Sequence, residues 1–175
     1  MKKALNRLAI VVLFWNDSEK TIKCLESIYK QKKVKFSLVL IDNNSEAIFR
    51  NKVLKWLYVN NINVNYVKNK KFNPKDFSKR KTCFFIKNKI NLGCGFGHNS
   101  GYKFCIKNDF KYIARIDNDM FLPNDFIFKL SNRLEGNKKI IALSPKVMFA
   151  QKPNLIWFRG TTIGSNLKLQ KQCAN

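Results

Sequence analysis

The sequence predicts an α/β domain of three layers, α/β/α, with a mostly parallel sheet between helices, and three observations carry that reading. Residues 8–14 form an unbroken apolar run rich in β-branched side chains, as a strand covered on both faces requires. Asp17 and Ser18 follow as N-cap candidates, and Ile22, Leu25, Ile28 and Tyr29 then recur at helical spacing. The alternation repeats with an apolar run at 36–41, a turn-forming Asp42-Asn43-Asn44-Ser45 cluster, and a helical stretch holding Ile48, Val53, Leu54 and Leu57. Strands separated by helices need crossover connections, and crossovers make neighbouring strands parallel.

The remaining elements follow in order. Ile62, Val64 and Tyr66 alternate with asparagines, the pattern of a short half-exposed strand, and 83–86 resume a strand. The loop Asn91-Leu92-Gly93-Cys94-Gly95-Phe96-Gly97-His98-Asn99-Ser100-Gly101 runs into a helix expected to reach Lys107. A buried strand at 112–116 ends in Asp117-Asn118-Asp119, and beyond Pro123 a helix carries Phe126, Ile127, Leu130 and Leu134 on one face. Further strands are expected at 140–143, 147–149 and 155–158. One domain is expected from 1 to 160, with 161–175 as a tail.

A chain of 175 residues has room for one core, and its 45% hydrophobic content supports a folded protein. The formal charge of +23 raises nucleic acid or an anionic membrane as partner. Lysine supplies 28 of the 34 basic residues, whereas arginine is the residue suited to bidentate phosphate and base-edge contacts. No specific nucleic-acid partner is therefore expected, while a generic attraction to anionic lipid survives. The densest basic stretch, 68–89, reads first as a solvated loop and second as a lipid-facing patch.

Five cysteines without a C-x-x-C pair fit a reducing cytoplasm better than a disulfide framework or a zinc site. The start imitates a secretory signal, but Asn16-Asp17-Ser18-Glu19-Lys20 offers no small-residue cleavage site. No apolar run approaches the ~20 residues that span a bilayer. A cytoplasmic location is expected, with any membrane contact peripheral on the inner face.

Asp117 and Asp119 carry the most chemistry. In extended backbone residues i and i+2 point to one face, so two carboxylates can converge on one hard cation or polar ligand. Read alone, the pair is equally a solvated turn capping the helix near Pro123. The glycines invite a dinucleotide or P-loop reading, but His98 stands where the first fingerprint needs glycine, and the second lacks its Lys-Ser/Thr. They leave two readings, a loop needing positive φ or backbone N–H groups approaching a diphosphate. His98, the only histidine, has no carboxylate near it in sequence to orient it as a base, and reads as a surface polar group. In a parallel sheet Asn16, Asp42, the 91–99 loop and Asp117/Asp119 all fall on the carboxyl edge, where open α/β sheets bind ligands.

Taken as an ordered series, residues 11–16, Cys24-Leu25-Glu26-Ser27-Ile28, Leu40-Ile41-Asp42-Asn43-Asn44-Ser45, Asn91-Leu92-Gly93 with Gly97-His98-Asn99-Ser100-Gly101, Ile116-Asp117-Asn118-Asp119 and Ser144-Pro145-Lys146 resemble the nucleotide-sugar half of family 2 glycosyltransferases. The resemblance spans about residues 8–160 and is strongest to the rhamnosyltransferase-like branch that builds bacterial surface polysaccharides. It implies a GT-A fold, Rossmann-like, of the nucleotide-diphospho-sugar transferase kind. It implies transfer of a sugar, with inversion, from a nucleotide diphosphate donor to a saccharide or lipid-linked acceptor. Donor-binding roles fall to Asn16, Asp42, Asn44, Asn91, Asn99 and Asp117, with Asp42 on the base. Asp117 and Asp119 would hold Mg²⁺ or Mn²⁺.

In one respect the chain departs from the family. An inverting transferase needs a carboxylate base well downstream of the Asp pair, yet no Asp or Glu follows Glu135. No catalytic residue is assigned, and the acceptor-binding half is expected to be missing from this chain. The alternatives are a non-catalytic nucleotide-binding remnant and, more distantly, a basic RNA-binding protein.

Overall fold

The apolar run at 8–14 folds as β1 (Leu8–Phe14), buried along nearly its whole length because both of its faces are covered. The computed structural model describes residues 7–67, 72, 82–163 and 169–172. Within the unit Met1–Asp125, β1 is followed by α1 (Ser18–Tyr29), β2 (Ser37–Asp42), α2 (Ala47–Val59), β3 (Asn63–Tyr66), β4 (Thr82–Lys87), α3 (Gly93–Lys107) and β5 (Tyr112–Asp117). The strands form one five-stranded sheet in the order β3-β4-β2-β1-β5, and every pairing is parallel.

Local chemistry explains the helices. The Asp17 side chain accepts a hydrogen bond from the Lys20 N–H at 3.1 Å, capping α1, whose buried Thr21, Cys24, Leu25 and Ile28 form one stripe. In α2 the buried positions are Val53 and Leu57, four residues apart. Ala9 and Val11 of β1, Val39 and Ile41 of β2, and Phe84 of β4 share one core cluster with Phe104 and Cys105 of α3. The alternate residues Ile10, Val12, Leu38 and Leu40 are fully buried on the opposite face. Right-handed crossovers place α1 and α2 there, since β1 and β4 lead their connections in opposite directions across the sheet.

Gly101 is where α3 comes closest to the sheet. A Cβ there would stand 2.7 Å from Ile41 Cδ1 and 2.8 Å from Val11 Cγ1. Gly101→Val is therefore expected to overpack the interface and lower stability by about 1–3 kcal/mol. An unchanged urea midpoint would show that α3 can shift away from β1 and β2 at no cost.

Three expectations need correction or extension. β5 is an edge strand of this sheet, with Ile116 its one buried residue and Ile113 40% exposed, so it is not the buried strand expected at 112–116. Residues 140–143 form no strand. The division falls after Asp125, not at 160: a second unit, Phe126–Asn175, holds α4 (Phe126–Gly136) and two antiparallel pairs. These are β6 (Val147–Phe149) with β7 (Lys152–Phe158), and β8 (Thr161–Ile163) with β9 (Leu169–Gln172), the latter where a tail was expected. The basic residues at 68–71 and 73–81 lie outside the described residues, as does Cys173. Cys24, Cys83, Cys94 and Cys105 are free thiols, and among the described residues no helix is long and apolar enough to cross a membrane.

Candidate functional site

The pairing register sets the site. Phe14 at the end of β1 pairs with Asp42 on one side, and Leu13 pairs with Asp117 on the other, so the carboxylate-bearing strand ends lie level. Above this edge opens a cavity of about 380 Å³, within the range of small-molecule sites. Leu13, Phe14 and Trp15 line it from β1, Asn43 from the loop after β2, and Asn91, Gly93, Cys94 and His98 from the entry to α3. Asp117, Asn118 and Asp119 complete it after β5.

Asn43 ties these loops together. Its Nδ2 donates to Asn91 Oδ1 at 2.7 Å and to the Gly93 carbonyl at 3.2 Å. Its Oδ1 accepts from Asn88 Nδ2 at 2.9 Å and from the Leu92 N–H at 3.1 Å. Asn91 Oδ1 also accepts from the Gly93 N–H at 2.8 Å, holding a turn in which Gly93 has φ +69° and a side chain would be strained. Both capacities of the Asn43 amide are used, so the cavity wall is preorganised.

The acidic side is asymmetric. Asp117 Oδ1 accepts from Arg115 Nε at 3.0 Å and Nη2 at 2.9 Å. Asp119 is exposed on the cavity wall and makes no hydrogen bond or ion pair with the described residues. Asn118, between them on the same wall, donates from Nδ2 to Thr21 Oγ1 at 3.0 Å, which fixes the turn between the two carboxylates to α1. Beneath it the Cys24 thiol donates to the Asp117 carbonyl at 3.5 Å. Burial, with the Asp119 charge added, pushes that thiol up to about 12.

His98 is not the surface group the sequence indicated. It is 3% exposed, because α3 presses this turn onto the sheet edge. Its Nδ1 lies 2.8 Å from the Cys94 carbonyl and its Nε2 lies 3.8 Å from Asp117 Oδ1. Burial holds its pKa below the ordinary histidine value, and the nearby Arg115 charge acts in the same direction.

The other expected site residues are placed as follows. Asn91, Asp117 and Asp119 line the cavity, while Asn16, Asp42, Asn44 and Asn99 are not among its lining residues. Asp42 is fully buried: Oδ1 accepts from the Ser45 N–H at 2.7 Å and Oδ2 lies 3.5 Å from Arg50 Nη1. Asn16, at φ +49°, accepts the Glu46 N–H at 2.8 Å and so links the loops after β1 and β2. Asn44 and Asn99 are exposed. Sequence reasoning missed Asn43, Asn88 and His98 as site formers; Asn43 stood inside the quoted turn cluster, with nothing local to separate it from Asn44.

Loops converging on one crevice at the carboxyl edge of an open parallel sheet define a Rossmann-like α/β architecture, and its fold is of the GT-A kind. The chain belongs to glycosyl transferase family 2, whose model matches residues 9–173. Among solved structures it is similar to S. aureus TarS 1-349, with 16% identity, a TM-score of 0.54 and coverage of 82% of this chain and 40% of that one. The same fragment in complex with UDP-GlcNAc aligns with a TM-score of 0.51 at 17% identity, covering 83% of this chain and 41% of that one. A Pyrobaculum calidifontis mannosyltransferase in complex with GDP-Man and Mn²⁺ aligns with a TM-score of 0.48 at 15% identity, over 67% of this chain and 28% of that one. These likenesses are of fold, and the chain spans less than half the length of each of these proteins. No curated protein matches the sequence.

Proposed function

We propose that the cavity binds the nucleotide diphosphate of a sugar donor, and that the chain is the donor-binding part of a glycosyltransferase. The observation that carries this reading is Asp119, a carboxylate unpaired among the described residues on the wall of a preorganised crevice, in a chain of glycosyl transferase family 2. Asn43 and Asn91 hold the wall on which the donor rests. Trp15, 54% exposed at the end of β1, offers an indole face to a base or sugar ring.

The residues fit a divalent ion in one specific manner. Among the described residues no group of three His, Cys, Asp or Glu is placed to hold a metal. Mg²⁺ is commonly bound by one or two carboxylates, with waters and substrate phosphates completing the shell. Asp119 would supply the first and Asp117 the second, through the oxygen that Arg115 does not bond. When bound, Mg²⁺ or Mn²⁺ would neutralise charge on the diphosphate leaving group. Further donor contacts from Asn16, Asp42, Asn44 or Asn99 would require the loops to rearrange around the ligand. Transfer with inversion to a saccharide or lipid-linked acceptor in cell-surface polysaccharide synthesis, at the inner membrane face, extends this reading; the family and the net charge support it.

Asp119→Asn preserves shape and removes the ligand charge. It is expected to erase the Mn²⁺-dependent gain in UDP affinity, a loss of about 10- to 100-fold by calorimetry. Equal metal-dependent affinity in variant and wild type would refute the assignment.

A further inference from the structure

His98 is the buried polar side chain on the cavity wall whose hydrogen bonding the fold leaves incomplete. Its Nδ1 sits 2.8 Å from the Cys94 carbonyl, and a carbonyl can only accept, so Nδ1 carries the hydrogen. In the neutral ring Nε2 is then a bare acceptor. That atom is buried and has no hydrogen-bond partner among the described residues. Asp117 Oδ1, 3.8 Å away, is itself an acceptor and is already occupied by Arg115. Tyr102 stacks on the ring, with centroids 6.1 Å apart, and restrains its tilt. Buried polar atoms are nearly always paired, so one left unpaired in a side chain of the cavity wall points to a donor from the ligand.

The chemistry of the ligand selects that donor. On the reading above, the cavity takes a nucleotide diphosphate sugar, whose phosphate oxygens only accept. Its donors are hydroxyls, on the ribose and on the sugar, and N–H groups on the base, and single-deoxy analogues tell the first kind from the second. A hydrogen-bonded Nδ1 also suits a metal-ligating histidine, but a cation at Nε2 would face the guanidinium of Arg115, and no third ligand is placed with it among the described residues.

We propose that His98 Nε2 accepts a hydrogen bond from a hydroxyl of the bound nucleotide sugar, making His98 a specificity-determining residue of the donor site. A site built to pair a ligand hydroxyl rejects the analogue lacking it, because its own acceptor is then left unpaired.

The test is calorimetry with Mn²⁺ present. UDP, GDP and dTDP, each free and carrying a sugar, identify the tightest ligand for the wild-type chain. That ligand and its single-deoxy analogues are then titrated into wild type, His98→Phe and His98→Gln, with His98→Leu replacing the Phe variant should it fail to fold. His98→Phe is expected to lose about tenfold in affinity. One deoxy analogue should cost the wild type the same factor and cost His98→Phe nothing further. His98→Gln, which restores an acceptor, should recover part of the loss. If the free diphosphate shows the full loss the hydroxyl is on the ribose, and if only the sugar-bearing form does, it is on the sugar. A loss of the same size for every analogue would mean a merely structural role and would overturn the proposal. Weakened Mn²⁺ binding by His98→Phe without nucleotide would also overturn it, by making the residue a metal ligand. Wild-type binding with unaltered affinity in His98→Phe would sink this inference and leave the donor-site reading standing. Failure of the wild type to bind any of these nucleotides would remove both.

Discussion

Asp42→Ala is expected to lower stability by about 3 kcal/mol, the scale for breaking a buried charge pair. The Asp42 carboxylate has no exposed surface, and its two oxygens serve the Ser45 N–H at 2.7 Å and Arg50 at 3.5 Å. Arg50, whose side chain is 18% exposed, keeps the Ser45 carbonyl at 2.7 Å but loses its counter-charge. The segment freed is the turn that presents Asn43, so nucleotide binding should fall together with folding. Denaturant titration of Asp42→Ala and Asp42→Asn, paired with uridine and UDP calorimetry, checks this. An unchanged midpoint with weaker uridine binding would instead mean that Asp42 turns outward to contact the base.

The chain by itself is expected to bind a nucleotide sugar and transfer none of it to an acceptor. Glu135, exposed on α4, is the last carboxylate, and residues 136–175 contain no Asp or Glu. A positioned base contributes about 10²- to 10⁴-fold to proton removal from an acceptor hydroxyl. Turnover should therefore be undetectable when purified chain, Mn²⁺ and radiolabelled nucleotide sugars are incubated with a lipid extract, though slow donor hydrolysis by water is compatible with the site. Label passed to an acceptor, and lost in Asp119→Asn, would reveal a base among the residues here assigned other roles.

What could be read along the chain was whatever depends on neighbours in sequence. The apolar run at 8–14, the Asp17 cap and the stripe of Cys24, Leu25 and Ile28 identify β1 and α1, because period and capping are local. Parallel pairing follows from the crossovers, and with it the placing of Asp42 and Asp117 on one edge. The motif order indicated glycosyl transferase family 2, to which the chain belongs.

Side-chain partners are another matter, since they come from distant segments. Asn43 and Asn44 are adjacent and identical in type, yet Asn43 is buried among Asn88, Asn91 and Gly93, while Asn44 is exposed at φ +66°. Nothing in Asp42-Asn43-Asn44-Ser45 decides which amide turns inward; the loop entering α3 does, some 45–50 residues away. His98 read as a surface polar group because no carboxylate stands near it in sequence, and it is buried because Gly101, one turn further on, lets α3 close to within contact of Val11 and Ile41. Asp117 and Asp119 are equal in sequence and unequal in the fold, because the i−2 side chain of Arg115 reaches only the first. The sequence by itself thus determined the sheet, its edge and the residue types brought there. Tertiary contact alone decided which of those groups are already paired and which remain open to a ligand, since hydrogen-bond satisfaction depends on distance in space.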